Sequence, residues 1–311
     1  MGMRLASTQD GRPEIASRPA LAGDEVAFQR VDPARWTNRV MRSAGEALRA
    51  YHRHRVVGME HLAAALRSGR PVILVGNHCM DIADPLMLSV AVYRTLGRVP
   101  RFIGHGNLFF TLPVLRSLAA DWGIIPSRHM DLAARTLDEE RLLMLYPGSG
   151  TEAILRSYRR EPYRLKWYGK LGFVELAARH DALVLFVAGV GLDEMYYQTD
   201  LPTPAALVRF GNAGDDGYYR GARLQLGLAG LHVLPGVLPL PVRVTHVISS
   251  PLALPRDLDP NDRDALARAQ VALWIECQRH LDWAIAERDR ETDLVDQTCR
   301  AATRWLQRIG L

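Results

Sequence analysis

Two residues in the stretch Pro71–Leu88, PVILVGNHCMDIADPLML, have the types needed to move a proton. The imidazole of His78 titrates near neutrality and suits a general base. The carboxylate of Asp84 suits the group that fixes its tautomer and stabilises the imidazolium. No serine nucleophile lies between them. Cys79 adjoins His78, but adjacent side chains of an extended segment point apart, which argues against a thiol nucleophile. Both candidates also have structural readings: a histidine ending a strand serves as a hydrogen-bonding residue, and Asp before Pro85 is a good helix N-cap.

A second constellation is the turn Pro147-Gly148-Ser149-Gly150-Thr151-Glu152. Its glycines let a backbone approach a ligand closely, and a helix start offers free N–H groups to an anion or a developing oxyanion. No Lys-Ser or Lys-Thr closes it as a nucleotide P-loop would require, and it lacks the five-residue G-x-S-x-G form of a serine hydrolase elbow. Beyond it, Arg156–Arg160 and Tyr163–Trp167, with Lys166, place cations among aromatics. That stretch is either a basic patch for carrier phosphates or a solvated helix face.

Positioning these residues requires strand ends and helix starts. Val72–Val75 is an apolar run of strand length broken by Gly76, so His78 falls just past a strand's carboxyl end, where α/β sheets place their chemistry. Further strands are expected at 101–104, 122–126, 141–146, 182–190 and 242–248, with helices at 85–96, 112–120, 132–140, 173–179 and 262–288. Leu266, Ala269, Ala272, Leu273, Cys277 and Leu281 form the apolar stripe of the last helix. The alternation predicts an α/β fold: a single mixed, largely parallel sheet flanked by helices, with an N-terminal amphipathic helix. Residues 1–28 read as a flexible leader, 29–55 as a basic amphipathic helix suited to an anionic bilayer surface or to packing on the domain, 56–290 as the catalytic domain and 291–311 as a C-terminal helix.

Bulk properties narrow the classes. The chain has 311 residues, 48% hydrophobic and 23% charged, with a formal net charge of +5. These values exclude a disordered chain and fit an anionic surface as partner, while no basic run interleaved with aromatics indicates nucleic acid. Cys79, Cys277 and Cys299 are widely separated, without metal-ligand spacing, so no metal is expected and a reducing, cytoplasmic compartment fits. No stretch has the apolar length of a signal peptide or a membrane helix. Residues 224–242, apolar but broken by Pro235, Pro239 and Pro241, are expected to line a pocket or touch an interface.

Taken together, GNHCMDIADPL (76–86), GNLFFTLP (106–113) with GIIPSRHM (123–130), LYPGSGTEA (145–153) and VAGVG (187–191) occur in the order of the four blocks of the glycerolipid acyltransferases, which the chain resembles over about residues 56–285. More closely it is similar to the monoacylglycerol and diacylglycerol acyltransferase-like branch that includes the transmembrane protein 68 and phytyl ester synthase acyltransferase regions. The resemblance implies a glycerol-3-phosphate acyltransferase-like fold. It also implies O-acyl transfer from an acyl-CoA or acyl carrier protein to a hydroxyl, without a covalent acyl-enzyme and without a cofactor beyond the donor. His78 would deprotonate the hydroxyl and Asp84 would orient it, with Asp81 as the alternative partner. Substrate contacts are implied at Asn77, Gly106, Asn107, Arg128, Pro147, Gly148, Ser149, Gly150, Glu152 and Lys166, and oxyanion donors near Gly148–Gly150 or Gly189.

Two departures matter. The usual motif has its carboxylate five residues after the histidine, where this chain has Ala83, and the third block ends in Glu152 where lysophosphatidate-type enzymes carry an arginine. A carboxylate there would repel a phosphate, so a neutral acceptor is expected: a mono- or diacylglycerol or a long-chain alcohol. The expected partners are therefore an acyl thioester donor, a lipid acceptor and a membrane surface, with peripheral association and no nucleic acid. A lysophospholipid acyltransferase, a thioester hydrolase and a non-catalytic lipid-binding protein of the same fold remain the alternatives.

Overall fold

The computed structural model describes residues 30–79, 81–104, 113–127, 129–167, 169–203, 223–232, 238–290 and 293–308. Helix α1 (Trp36–Tyr51), strand β1 (Arg55–Val57) and helix α2 (Met59–Arg67) precede β2 (Val72–Gly76). There follow α3 (Ala83–Leu96), β3 (Arg101–Gly104), α4 (Pro113–Asp121), β4 (Ile124–Pro126), α5 (Met130–Glu139) and β5 (Leu142–Leu145). After one π turn at Thr151–Leu155 come α6 (Gly172–Arg179) and β6 (Leu183–Val190), then β7 (Tyr197–Pro202), β8 (Arg223–Gly227), β9 (Gly230–His232), β10 (Thr245–Ile248), α7 (Arg263–Arg290) and α8 (Leu294–Arg308).

Seven strands form one sheet in the order β1-β10-β6-β2-β5-β3-β4. From β6 to β4 all neighbours are parallel, while β10 runs antiparallel to β6 and parallel to β1, so the sheet is mixed and largely parallel as the alternation predicts. Its central strands are buried on both faces, which is why they read as unbroken apolar runs. Successive residues point to opposite faces: Ile73 and Val75 meet α5, α6 and α7 on one side, and Val72 and Leu74 meet α2 and α3 on the other.

Parallel strands deliver their carboxyl ends to one edge. Asn77-His78 follow β2, Tyr146-Pro147 follow β5, and Gly191–Glu194 follow β6, all around the two neighbours of the central strand. Polar groups at such a rim lie where the sheet no longer covers them.

Three local expectations change. The helix after His78 opens at Ala83, not at Pro85, and the Asp81 carboxylate just before it accepts the Ala83 N–H at 2.8 Å. Asp84 therefore lies inside the first turn, its side chain free to point inward. The segment after 224 contributes β8 and β9 to a separate three-stranded antiparallel sheet with β7, which pattern reading did not anticipate. On α7 the stripe holds except at Ala272, which is exposed, while Gln270 and Gln278 turn inward to bond the backbone at Trp167, Leu165 and Tyr163.

Helix α1 packs along α3 through Gly45, where a Cβ would meet Val90. Arg35 and Thr37 bond Asp121, and Arg42 lies 4.9 Å over the Tyr93 ring. The basic helix is thus docked on the domain, with Trp36 and Val40 left exposed. Among the described residues, no helix is long and apolar enough to cross a membrane.

Candidate active site

The strand end that carries His78 is pinned from two sides. The Asn77 amide donates to the Gly189 carbonyl at 2.9 Å and accepts the Gly189 N–H at 2.7 Å, a two-point bridge from the end of β2 to β6. One residue later the backbone N–H of His78 donates to Glu152 Oε1 at 2.6 Å. The imidazole itself is half-buried and stacks on the Tyr146 ring, with centroids 4.8 Å apart and planes 23° from parallel. That ring lies over the strand end because position 76 is glycine: a Cβ there would stand 2.9 Å from the Tyr146 ring.

Glu152 is a brace inside the protein and does not line a substrate surface. It is fully buried, and its second oxygen accepts the Lys166 N–H at 2.8 Å. One carboxylate thereby ties β2 to the segment that follows the π turn. Burial pushes its carboxyl up to about 7, against the pull of Arg156 and of the two N–H donors. Its side chain folds under the turn where a Cβ at Gly148 would collide with it. The expectation that Glu152 repels a phosphate therefore loses its geometric basis. In the same turn Pro147, Gly148 and Gly150 are buried and Ser149, half-buried, takes a left-handed φ of 44°, a conformation that stores strain at a turn. The helix expected beyond it is a single π turn, because Arg156 is extended.

The carboxylates near His78 have other commitments. Asp84 Oδ1 accepts from His246 Nε2 at 2.7 Å, and each side chain is only 1% exposed. Its Oδ2 is buried, and the Tyr146 hydroxyl also contacts the carboxylate. The Asp81 carboxylate accepts the Ala83 N–H and the Tyr196 hydroxyl, and burial raises its pKa. Asp84 is thus paired with His246 through Oδ1. Asn77, Asp84, Tyr146, Gly189 and His246 line one crevice too narrow for a water molecule. Burial and the Asp84 charge raise the Tyr146 hydroxyl well above the usual phenol range. Cys79 is buried as well, and burial with the Asp84 and Asp81 charges raises its thiol, which keeps it protonated and unreactive.

The basic stretch after the turn is largely neutralised. Arg156, fully buried, forms a bidentate pair with Asp193 at 2.5 and 2.7 Å. Lys166 pairs with Glu161 at 2.6 Å, and Arg159 with Asp200 at 3.1 Å. Tyr163, Leu165 and Trp167 belong to the core, while Arg160 and Arg164 are exposed. A phosphate patch at this place is reduced to those last two cations. The Gly189 N–H is taken by Asn77, which removes it as an oxyanion donor. Gly106, Asn107 and Arg128 lie outside the described residues. Among the described residues no group of three or more His, Cys, Asp or Glu could hold a metal ion.

Pattern reading missed Tyr146, His246 and Asp193. Tyr146 carried a weak signal as the aromatic between a strand and the glycine turn, whereas His246 and Asp193 reach the site only through sheet pairing and loop packing.

A half-buried imidazole stacked on Tyr146 thus lies at the carboxyl edge of a largely parallel α/β sheet, its backbone bonded to the acid that follows the glycine turn. Residues 53–188 match the family model described as Acyltransferase. The match spans His78, Asp84, the glycine turn and Lys166, and supports the resemblance to acyltransferases at the superfamily level. No curated protein matches the chain.

Proposed function

We propose that this chain is a thioester-dependent O-acyltransferase that esterifies the hydroxyl of a neutral lipid, at or near a membrane surface. The observation that carries the reading is His78: its backbone is fixed by Glu152 and its neighbour by Gly189, while its ring stays half-exposed at the sheet edge within the span that matches the acyltransferase model. His78 takes the proton of the acceptor hydroxyl as its oxygen attacks the thioester carbonyl. The backbone N–H groups of Gly148 and Gly150 meet the oxyanion, since that of Ser149 donates to the Tyr146 carbonyl. Collapse expels the thiolate, which recovers the proton from His78, leaving an ester and a free thiol. A neutral acceptor is supported by the carboxylate partners of Arg156 and Lys166, which leave these two cations committed rather than open to a phosphate.

One observation favours a second reading, a lipid-binding protein without turnover: Asp84 Oδ1 is committed to His246. Mass spectrometry of products from a mixed pool of acyl-CoAs and long-chain alcohols, monoacylglycerol and lysophosphatidate separates the two. Ester formation that H78A abolishes supports transfer to a neutral acceptor. Binding of lipid without any ester, or equal turnover by H78A, rejects it, and preferential use of lysophosphatidate rejects the neutral acceptor.

A further inference from the structure

The Asp84–His246 contact is the end of a longer chain. Arg49 Nε, on α1, donates to His54 Nδ1 at 3.1 Å, His54 Nε2 lies 2.7 Å from His246 Nδ1, and His246 Nε2 lies 2.7 Å from Asp84 Oδ1. Arginine only donates, so His54 Nδ1 must be the bare nitrogen and its Nε2 must carry the proton. That proton is given to His246 Nδ1, so His246 in turn carries its own on Nε2 and gives it to the carboxylate. Every ring nitrogen in the chain is used, and the dipoles all point from the guanidinium to Asp84. His54 and His246 are 9% and 1% exposed, and burial together with neighbouring His246 pushes His54 down to about 2, so His54 is neutral. Glu46 bonds the Arg49 guanidinium at 3.2 Å and closes the far end.

Because both of its nitrogens are bonded, His246 cannot serve as the base. We propose that His246, held in one tautomer by His54 and Arg49, is a positioning residue that fixes Asp84 through Oδ1 and leaves Oδ2, beside the Tyr146 hydroxyl on whose ring His78 stacks, as the acceptor for the His78 imidazolium. This rests on the acyl-transfer reading above. A buried carboxylate oxygen without a well-aligned donor, in a crevice too narrow for water, is costly to keep, and functional sites are where such cost is tolerated. Contacts of this kind also tighten only when substrate is bound. The chain makes α1 part of the catalytic apparatus, because its cation terminates the relay.

The test combines a spectrum with kinetics on the whole chain. Short imidazole N–H bonds give strongly downfield proton resonances, so wild type labelled at histidine shows two, from His54 and His246, and H246F loses both. With the acyl-CoA and alcohol pool named above, H246F lowers kcat by about 10- to 100-fold with little change in KM. H246Q, whose amide N–H still reaches the carboxylate, recovers most of it. The proposal is overturned if wild type lacks the resonances, or if H246F folds and keeps wild-type kcat. Should H246F not fold, H54F keeps the Asp84 contact but breaks the relay, and an undiminished kcat in H54F overturns the proposal equally. If H78A retains turnover, the acyl-transfer reading itself fails; if H78A is inactive and H246F is not impaired, only the positioning role fails.

Discussion

Replacing Glu152 by glutamine tests whether burial or ion pairing governs the brace under His78. Folding lifts this carboxyl from about 4.5 to about 7, chiefly because no water reaches it. Between those values the folded chain holds a proton that the unfolded chain has released, so this residue's contribution to stability is fully present below pH 4.5 and is lost as pH rises through 7. At about 1.4 kcal/mol per decade, the loss amounts to about 3 kcal/mol. E152Q cannot titrate. The difference in unfolding free energy, wild type minus E152Q, is therefore expected to fall by about 3 kcal/mol between pH 4 and pH 8, while titrations common to both proteins cancel. Urea unfolding of both proteins across that range measures it. A flat difference would mean that the carboxylate is hydrated. A difference that rises with pH would mean that Arg156 dominates over burial, and the account of Glu152 as a desolvated brace would be wrong.

Three further outcomes follow from the same geometry. D193A strands the buried Arg156 guanidinium and is expected to cost about 3–5 kcal/mol in urea unfolding, whereas an R156M/D193L double variant should recover much of that; equal loss in both would refute the stranded-charge account. G148A drives a Cβ into the Glu152 side chain and should cost about 1–3 kcal/mol together with a fall in kcat, since Glu152 holds the His78 N–H; unchanged stability would show that the turn has room. Y146L removes the ring stacked on His78 and should reduce kcat about two- to tenfold, and a kcat equal to wild type would show that the stack does not hold the imidazole.

The contrast between Asp84 and Glu152 marks where pattern reading reaches its limit. An Asp-Pro pair after a strand and a glycine break is a strong local signal for a helix start, and α3 begins within two residues of it. What that signal lacks is the competing acceptor: Asp81 takes the Ala83 N–H, and a start two residues earlier puts Asp84 on the buried face of the first turn. Glu152 likewise has the local profile of a first-turn acid that complements a helix dipole. Only the return of the chain at Lys166 gives its second oxygen a donor and seals it from water.

Composition and periodicity alone marked six of the seven strands of a largely parallel α/β sheet and the delivery of His78 to a carboxyl edge, because apolar runs of strand length and stripes of helical spacing are local properties that burial enforces; the three-residue edge strand β1 carried no such signal. The partners of the polar side chains were decided elsewhere. His246 lies 162 residues from Asp84, and Gly189 lies 112 from Asn77. Each bond exists because sheet pairing sets β10 beside β6 and β6 beside β2, and a buried polar group must take whatever donor that pairing brings within reach.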